Sequence, residues 1–172
     1  YLAFNGCSSL TSIEIPSGVT SIGEAAFSGC SSLTSIDFEE NSLLTSIGHY
    51  AFWECSSLTS IEIPSGVTSM EYAFRDCTSL TQITIPESVT SIDGWAFSGC
   101  SSLASINIPN GVKTIEGSTF NGCTSLKSVT LPEGITSIGS SAFSSCTSLK
   151  TISMPKSVNY IGECAFYGCS NL

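Results

Sequence analysis

The sequence predicts an α/β solenoid of about seven coils, each about 23 residues long, with a parallel sheet along one face. Three observations predict this fold. A motif recurs at a nearly fixed interval, every repeat contains a short segment of alternating apolar residues, and the apolar spacing of the closing segment matches one helical turn. Repeats of roughly 20 to 50 residues are typical of architectures in which each unit packs against its neighbours. We therefore predict that residues 1–172 form a single solenoid domain.

The motif that sets the repeat is Ala-Phe-x-x-Cys, in which Thr119 once replaces the alanine. Its cysteines are 22 to 25 residues apart, at Cys7, Cys30, Cys55, Cys77, Cys100, Cys123, Cys146 and Cys169. The unit that ends at Cys55 gains two residues, and the next unit loses one. Partial repeats stand at both ends, and neither supplies the polar capping unit that solenoids need. We expect the chain to be a fragment of a longer array.

The first side of each unit predicts a strand. Ile13 and Ile15 are alternate residues of one short segment, and equivalent apolar residues recur in every unit. This period of two is typical of a strand with one buried face. In most units a proline such as Pro16 follows, and we expect it at the second position of a type I turn.

A second apolar edge and a closing side complete the predicted coil. The Val-Thr-Ser-Ile segment places Val19 and Ile22 on the second edge. On the closing side, the spacing of Ala26, Phe27 and Cys30 is the one that a single helical turn would direct inward. This side accounts for the α component of the predicted fold.

Charge and composition exclude several classes of partner. The net charge is −9, and residues 1–76 carry nine acidic residues but one basic residue, Arg75. An acidic chain with five basic residues cannot neutralise many phosphates, so we expect neither nucleic acid nor an anionic membrane surface as a partner. No apolar run reaches the roughly 20 residues of a membrane-spanning helix.

The repeat L-x-x-I-x-I-P-x-x-V-x-x-I-G-x-x-A-F-x-x-C closely resembles the BspA-like class of bacterial leucine-rich repeats over essentially the whole chain. The resemblance implies a right-handed leucine-rich-repeat solenoid with a parallel sheet on one face. It also implies a cell-surface or secreted protein of mucosal bacteria or protists that binds host matrix proteins or other cells.

Cysteine and histidine give no sign of a catalytic or metal site. Eight of the nine cysteines share one inward column, no C-x-x-C pair occurs, and zinc sites favour closely spaced ligand pairs. We expect buried free thiols, except at Cys164, which lies in another column. No motif assigns a nucleophile to His49, the only histidine. We predict no enzymatic activity, no cofactor and no metal.

Two groups of residues are candidate binding sites. The outward column of the predicted strands contains Glu14, Asp37 and Glu62. Carboxylates on adjacent strands repel one another, so this column is either a hydrated acidic face or a docking surface for a basic partner, with Ca²⁺ as an optional aid.

The second group is aromatic. Tyr50, Tyr72 and Trp95 occupy one column in consecutive units, and Trp53 lies one turn after Tyr50. Aromatic side chains on a serine-rich surface favour an interaction patch for protein or sugar. The alternative is that they pack over the irregular units.

Two functions follow from these features. The first is a non-enzymatic adhesion solenoid that binds a host matrix or cell-surface protein, with a glycan as the second candidate ligand. The alternative is a structural spacer or stalk that holds other domains away from the cell surface. Uniform repeats favour a spacer, whereas local divergence favours binding. The second to fourth units diverge most in length, charge and aromatic content, so we favour binding and place the site there.

Overall fold

The computed structural model describes residues 1–172 as a solenoid of short parallel strands. Each coil contributes two strands, which lie on two different sides. The strands of the first side are β1 (Ser12–Ile15), β3 (Ser35–Phe38), β5 (Ser60–Glu62), β7 (Gln82–Thr84), β9 (Ser105–Asn107), β11 (Ser128–Thr130) and β13 (Thr151–Ile152). Those of the second side are β2 (Ser21–Ile22), β4 (Ser46–Ile47), β6 (Ser69–Met70), β8 (Ser91–Ile92), β10 (Thr114–Ile115), β12 (Ser137–Ile138) and β14 (Tyr160–Ile161).

Strand pairing places equivalent residues of successive coils side by side. Strand β1 pairs in parallel with β3, so that Ile13 is opposite Ile36. On the second side, Ile22 of β2 is opposite Ile47 of β4. The predicted strand and the predicted second edge are therefore both confirmed. Parallel strands line two sides of the coil, whereas the sequence predicted a sheet on one face.

The predicted α component is wrong, because the closing side contains no helix. The N–H of Ala26 donates to the Gly23 carbonyl within its own coil, but the N–H of Phe27 donates to Ala51 in the next coil. An α-helix would keep these bonds within the segment. Ala25 and Gly29 have φ angles of 49° and 71°, which interrupt a right-handed helix.

The inward residues of the closing side are nevertheless the predicted ones. Ala26, Phe27 and Cys30 are all buried. A series of tight turns places these residues inward with the same spacing as a helical turn. The apolar pattern alone therefore could not distinguish the two conformations.

The proline turn is displaced by one residue from its predicted position. The Val19 N–H donates to the Pro16 carbonyl at 3.0 Å, and the Val67 N–H donates to Pro64 in the same way. Proline thus occupies the first position of the turn, where its carbonyl is used and its lack of an N–H has no cost.

A continuous apolar core runs along the solenoid, and a phenylalanine stack is its most regular part. The stacked rings, from Phe4 to Phe166, have centroids 5.1 to 5.7 Å apart and planes within 16° of parallel. The cysteine column lies beside this stack. The Cys77 Sγ donates to the Phe52 carbonyl in the preceding coil at 3.1 Å, and the same bond recurs from Cys30 to Cys169.

All nine cysteines are free, and six of them are buried. The predicted buried thiols are confirmed for these six inner coils. Cys169 is half-buried, whereas Cys7 in the first coil and Cys164 are exposed. Burial raises the pKa of the Cys55 and Cys146 thiols to about 12.

These positions predict a stepwise thiol titration. We expect a disulfide reagent such as Ellman's reagent to modify Cys7 and Cys164 rapidly in the folded protein and Cys169 more slowly, because only thiolates in contact with solvent react. The six buried thiols should react only after unfolding. Replacing Cys164 with Ser should remove one rapid equivalent. Rapid modification of all nine thiols without denaturant would contradict the buried column.

The raised thiol pKa values predict a loss of stability at alkaline pH. Above the ordinary thiol pKa of 9.0, the unfolded chain releases protons that folded Cys55 and Cys146 retain up to about pH 12. The free energy of unfolding should therefore be intact below pH 9.0 and fall above it, by up to about 1.4 kcal/mol per pH unit for each buried thiol.

Urea unfolding over this pH range measures the effect. The Cys55→Ala variant should show a shallower pH dependence than the parent protein, while the Cys164→Ala variant should keep the full slope. Equal slopes in all three proteins would mean that the thiols make no contribution.

Candidate functional site

The acidic column predicted on the first side is present and exposed. Glu14 of β1 is the direct partner of Asp37 of β3, and Glu62 of β5 is opposite Thr84 of β7. No cationic side chain lies within ion-pair distance of these three carboxylates, since the two ion pairs of the molecule involve other residues.

An open depression of about 630 Å³ lies beside this column. Asp37, Glu62, Phe38 and Ile63 contribute to its wall. No group of three or more histidine, cysteine or acidic side chains is arranged to hold a metal ion anywhere in the chain. The optional role of Ca²⁺ therefore gains no support from the geometry.

The two-residue insertion forms a loop at the edge of the same depression. Its Glu39 carboxylate accepts a hydrogen bond from the Ser17 N–H at 2.8 Å, and this bond lowers the pKa of the Glu39 carboxyl. The Leu43 N–H donates to the Ser17 carbonyl. The longer unit is thus tied to the coil before it.

Three of the four aromatic residues predicted as a patch are in contact on the closing side, and the fourth, Trp95, lies in the next coil. The ring centroid of Tyr50 is 5.6 Å from that of Tyr72 and 5.7 Å from that of Trp53. Trp95 is 41% exposed and joins the group through Arg75, whose guanidinium lies 5.0 Å from the centre of its ring. We call these five residues, together with His49, the aromatic patch.

Polar contacts fix the orientation of several patch residues. The Trp53 indole Nε1–H donates to Asp76 Oδ2 at 3.3 Å, and Arg75 Nε is 3.3 Å from the same oxygen. His49 Nε2 is 2.6 Å from Glu71 Oε2, and the His49 ring is 5.5 Å from that of Tyr72. Asp76 therefore positions the Trp53 side chain, and Glu71 positions that of His49.

Arg75, Asp76 and Glu71 are not among the residues predicted for the site, and His49 was weighed only as a catalytic residue. The aligned repeats contain the signal that identifies one of them. Arg75 follows the motif phenylalanine at a position that holds a small polar residue in most regular units, as at Ser28, Ser98 and Asn121.

The backbone under the patch adopts a costly conformation. Tyr50, Tyr72 and Trp95 have φ angles of 56°, 53° and 61°. The left-handed conformation costs an L-residue roughly 1–2 kcal/mol. The same conformation recurs at this position in the other units, as at Ala25 and Ser118, so it belongs to the turn of the repeat and is not peculiar to the patch.

The next left-handed position of the coil shows the same feature more sharply. Glycine occupies it in five units, as at Gly29 and Gly99, and Ser145 occupies it in one, but the two irregular units have Glu54 and Asp76, with φ angles of 58° and 59°. These units replace the residue best suited to the backbone with carboxylates.

The shortened unit also loses backbone bonds between coils. The N–H groups of Ala25 and Trp95 donate to the following coil, but the equivalent groups of Tyr50 and Tyr72 do not. The Tyr50–Tyr72 and His49–Glu71 contacts join the coils at this place. The aromatic residues thus also pack over the irregular units, as the alternative interpretation expected.

The fold and the repeat together define a leucine-rich-repeat solenoid. The family model described as the BspA type leucine rich repeat region matches residues 1–72 and 45–172 in six copies. The chain belongs to this family. No curated protein sequence matches it.

Several solved structures resemble the chain, among them the following two. The leucine-rich repeat protein of T. pallidum is 32% identical over 95% of this chain and 78% of its own, with a TM-score of 0.88. The pneumococcal vaccine antigen PcpA is 18% identical over 91% of this chain and 55% of its own, with a TM-score of 0.58, a likeness of fold alone. With no helix in the chain, none is present that could cross a bilayer.

The left-handed backbone at Glu54 predicts that glycine stabilises the protein there. The Glu54→Gly variant should have a free energy of unfolding about 1 kcal/mol higher than the parent protein, because strain is relieved and no side-chain bond of Glu54 is lost. The matched control is Glu62→Gly in strand β5, which should destabilise the protein because glycine weakens a strand. Thermal and urea unfolding measure both changes, and a less stable Glu54→Gly variant would refute the argument from strain.

Proposed function

We propose that this chain is a non-enzymatic protein-binding module of a cell-surface or secreted protein and that the aromatic patch is its contact surface. The proposed location at the cell surface or outside the cell is supported by membership of the BspA-type family. A host matrix or cell-surface protein is the proposed partner, and a glycan is the second candidate ligand.

One observation carries the proposal. Tyr50, Trp53, Tyr72 and Trp95 form one partly exposed cluster with Arg75 in three consecutive units, the first two of which are irregular. Tryptophan and tyrosine are among the residues that contribute most often to the energy of protein interfaces. Elsewhere the corresponding surface consists mainly of small polar residues.

The acidic column is a second proposed contact, for a basic partner. Glu14, Asp37 and Glu62 are exposed and have no cationic neighbour. They lie on the first side of the coil, whereas the aromatic patch lies on the closing side. The two surfaces can therefore be tested independently.

Binding to an array of matrix proteins, cell-surface proteins and glycans tests the proposal, with Ca²⁺ and with a chelator. The variant Tyr50→Ser/Tyr72→Ser/Trp95→Ser should lose the principal hit, because serine occupies the same column at Ser118 and Ser141 and the backbone accepts it there. Circular dichroism and thermal unfolding confirm that the variant is folded.

Matched controls separate the patch from aromatic content in general. Tyr167 is 70% exposed and occupies the position equivalent to Trp53 in a regular unit. Tyr167→Ser should retain binding. The variant Glu14→Gln/Asp37→Asn/Glu62→Gln reports on the acidic column. An array without hits for the folded parent protein would favour a structural spacer, and equal binding by the parent and the triple serine variant would exclude the patch as the contact.

A further inference from the structure

Negative charge surrounds the aromatic patch. Glu54, Glu71 and Asp76 lie among its residues, and Glu24 and Asp93 flank it in the neighbouring coils. Arg75 is the only arginine or lysine in residues 1–76, which contain nine acidic residues. A surface that combines aromatic rings with an excess of carboxylates is complementary to cations.

We propose that the aromatic patch binds a basic segment of its protein partner, with lysine or arginine side chains lying over its rings and against its carboxylates. This inference rests on the proposed function and adds the chemistry of the partner to it.

Arg75 shows how such a cation would be held. Its guanidinium lies 5.0 Å from the centre of the Trp95 ring, while its Nε is 3.3 Å from Asp76 Oδ2. One cation therefore contacts an aromatic face and a carboxylate together. The Arg75 side chain occupies this position within the free protein and would compete with a cation from a partner.

Glu54 provides a carboxylate that no group of the protein satisfies. Its side chain is exposed and accepts no hydrogen bond or ion pair. It lies one coil from Asp76 at the same position of the repeat, and its N–H donates to the Arg75 carbonyl at 3.0 Å. Like charges in adjacent coils repel, and a cation bound between them would remove that repulsion.

The same charges weigh against the other ligands. A neutral glycan could stack on the rings and donate hydroxyl hydrogen bonds to the carboxylates, but it would gain no charge–charge attraction from them. An anionic glycan or an acidic peptide would be repelled. A basic peptide gains from both features, and its binding should weaken with added salt.

Fluorescently labelled oligolysine and oligoarginine peptides test the inference, with oligoglutamate and a neutral oligosaccharide as comparison probes. We expect the basic peptides to bind and the others not to bind. Glu54→Gly should weaken basic peptide binding several-fold although the same change is expected to stabilise the protein, so the loss cannot be attributed to unfolding. Glu133→Gln, an exposed acid in a regular unit, is the control for net charge.

Arg75→Ser gives a result of opposite sign. Removing the internal cation frees the Trp95 ring and the Asp76 carboxylate, so the affinity for oligolysine should increase several-fold. Lys127→Ser makes the same change of charge at an exposed position of a regular unit and should have a much smaller effect.

Three outcomes would overturn the inference. These are an absence of basic peptide binding by the folded parent protein, equal losses for Glu54→Gly and Glu133→Gln, and weaker oligolysine binding by Arg75→Ser. Each leaves the proposed function standing if the triple serine variant still loses its array hit. Loss of the proposed function would instead require array hits that are unaffected by that variant.

Discussion

The structure depends on hydrogen bonds between equivalent residues of successive coils. Strand pairs such as β1 with β3 hold two sides of each coil, and bonds such as that from Phe27 to Ala51 hold the third. Because every residue lies beside the equivalent residue of the next coil, each inward side chain must pack well against a copy of itself. Phenylalanine meets this condition as a ring stack, and cysteine meets it as a small residue whose thiol donates to a carbonyl in the preceding coil.

This constraint also explains why the irregular units carry the candidate site. The missing residue between Met70 and Phe74 prevents Tyr50 and Tyr72 from continuing the backbone bonds of the closing side. Side chains must then join the coils where the backbone does not, and large aromatic and charged residues do so. Once present, these side chains give this part of the surface a chemical character that the serine-rich units lack.

Much of the fold could be predicted from the sequence, because each position of the repeat occurs in seven units and its residue preference can be compared among them. The alternation of Ile13 and Ile15 predicted β1, and the Val-Thr-Ser-Ile segment predicted the second edge. The closing side could not be assigned correctly, since tight turns and a helical turn place Ala26, Phe27 and Cys30 inward with equal success. Positive φ angles at Ala25 and Gly29 decide between them, and residue type alone does not disclose the angle at an alanine.

The site residues that share one column of the repeat could be predicted from the sequence. Those whose role depends on the direction of a side chain could not. Tyr50, Tyr72 and Trp95 share a column, and the rings of Tyr50, Tyr72 and Trp53 are in contact, whereas Trp95 joins them only through Arg75. The contribution of Arg75 depends on its side chain lying over Trp95 in the next coil, which no pattern of residues encodes.

The two directions of hydrogen bonding have an electrostatic consequence for the solenoid as a whole. On the closing side, N–H groups such as that of Phe27 point toward the following coil. Next to the strands, N–H groups such as those of Thr34, before β3, and Gly48, after β4, point toward the preceding coil. The peptide dipoles on different sides of the coil therefore oppose one another along the axis. An α-helix aligns its dipoles and accumulates partial charge at its ends. Because the dipoles of a coil oppose one another, adding coils to the solenoid builds up much less partial charge at its ends. The long-range electric field of the protein is therefore set by its ionised side chains.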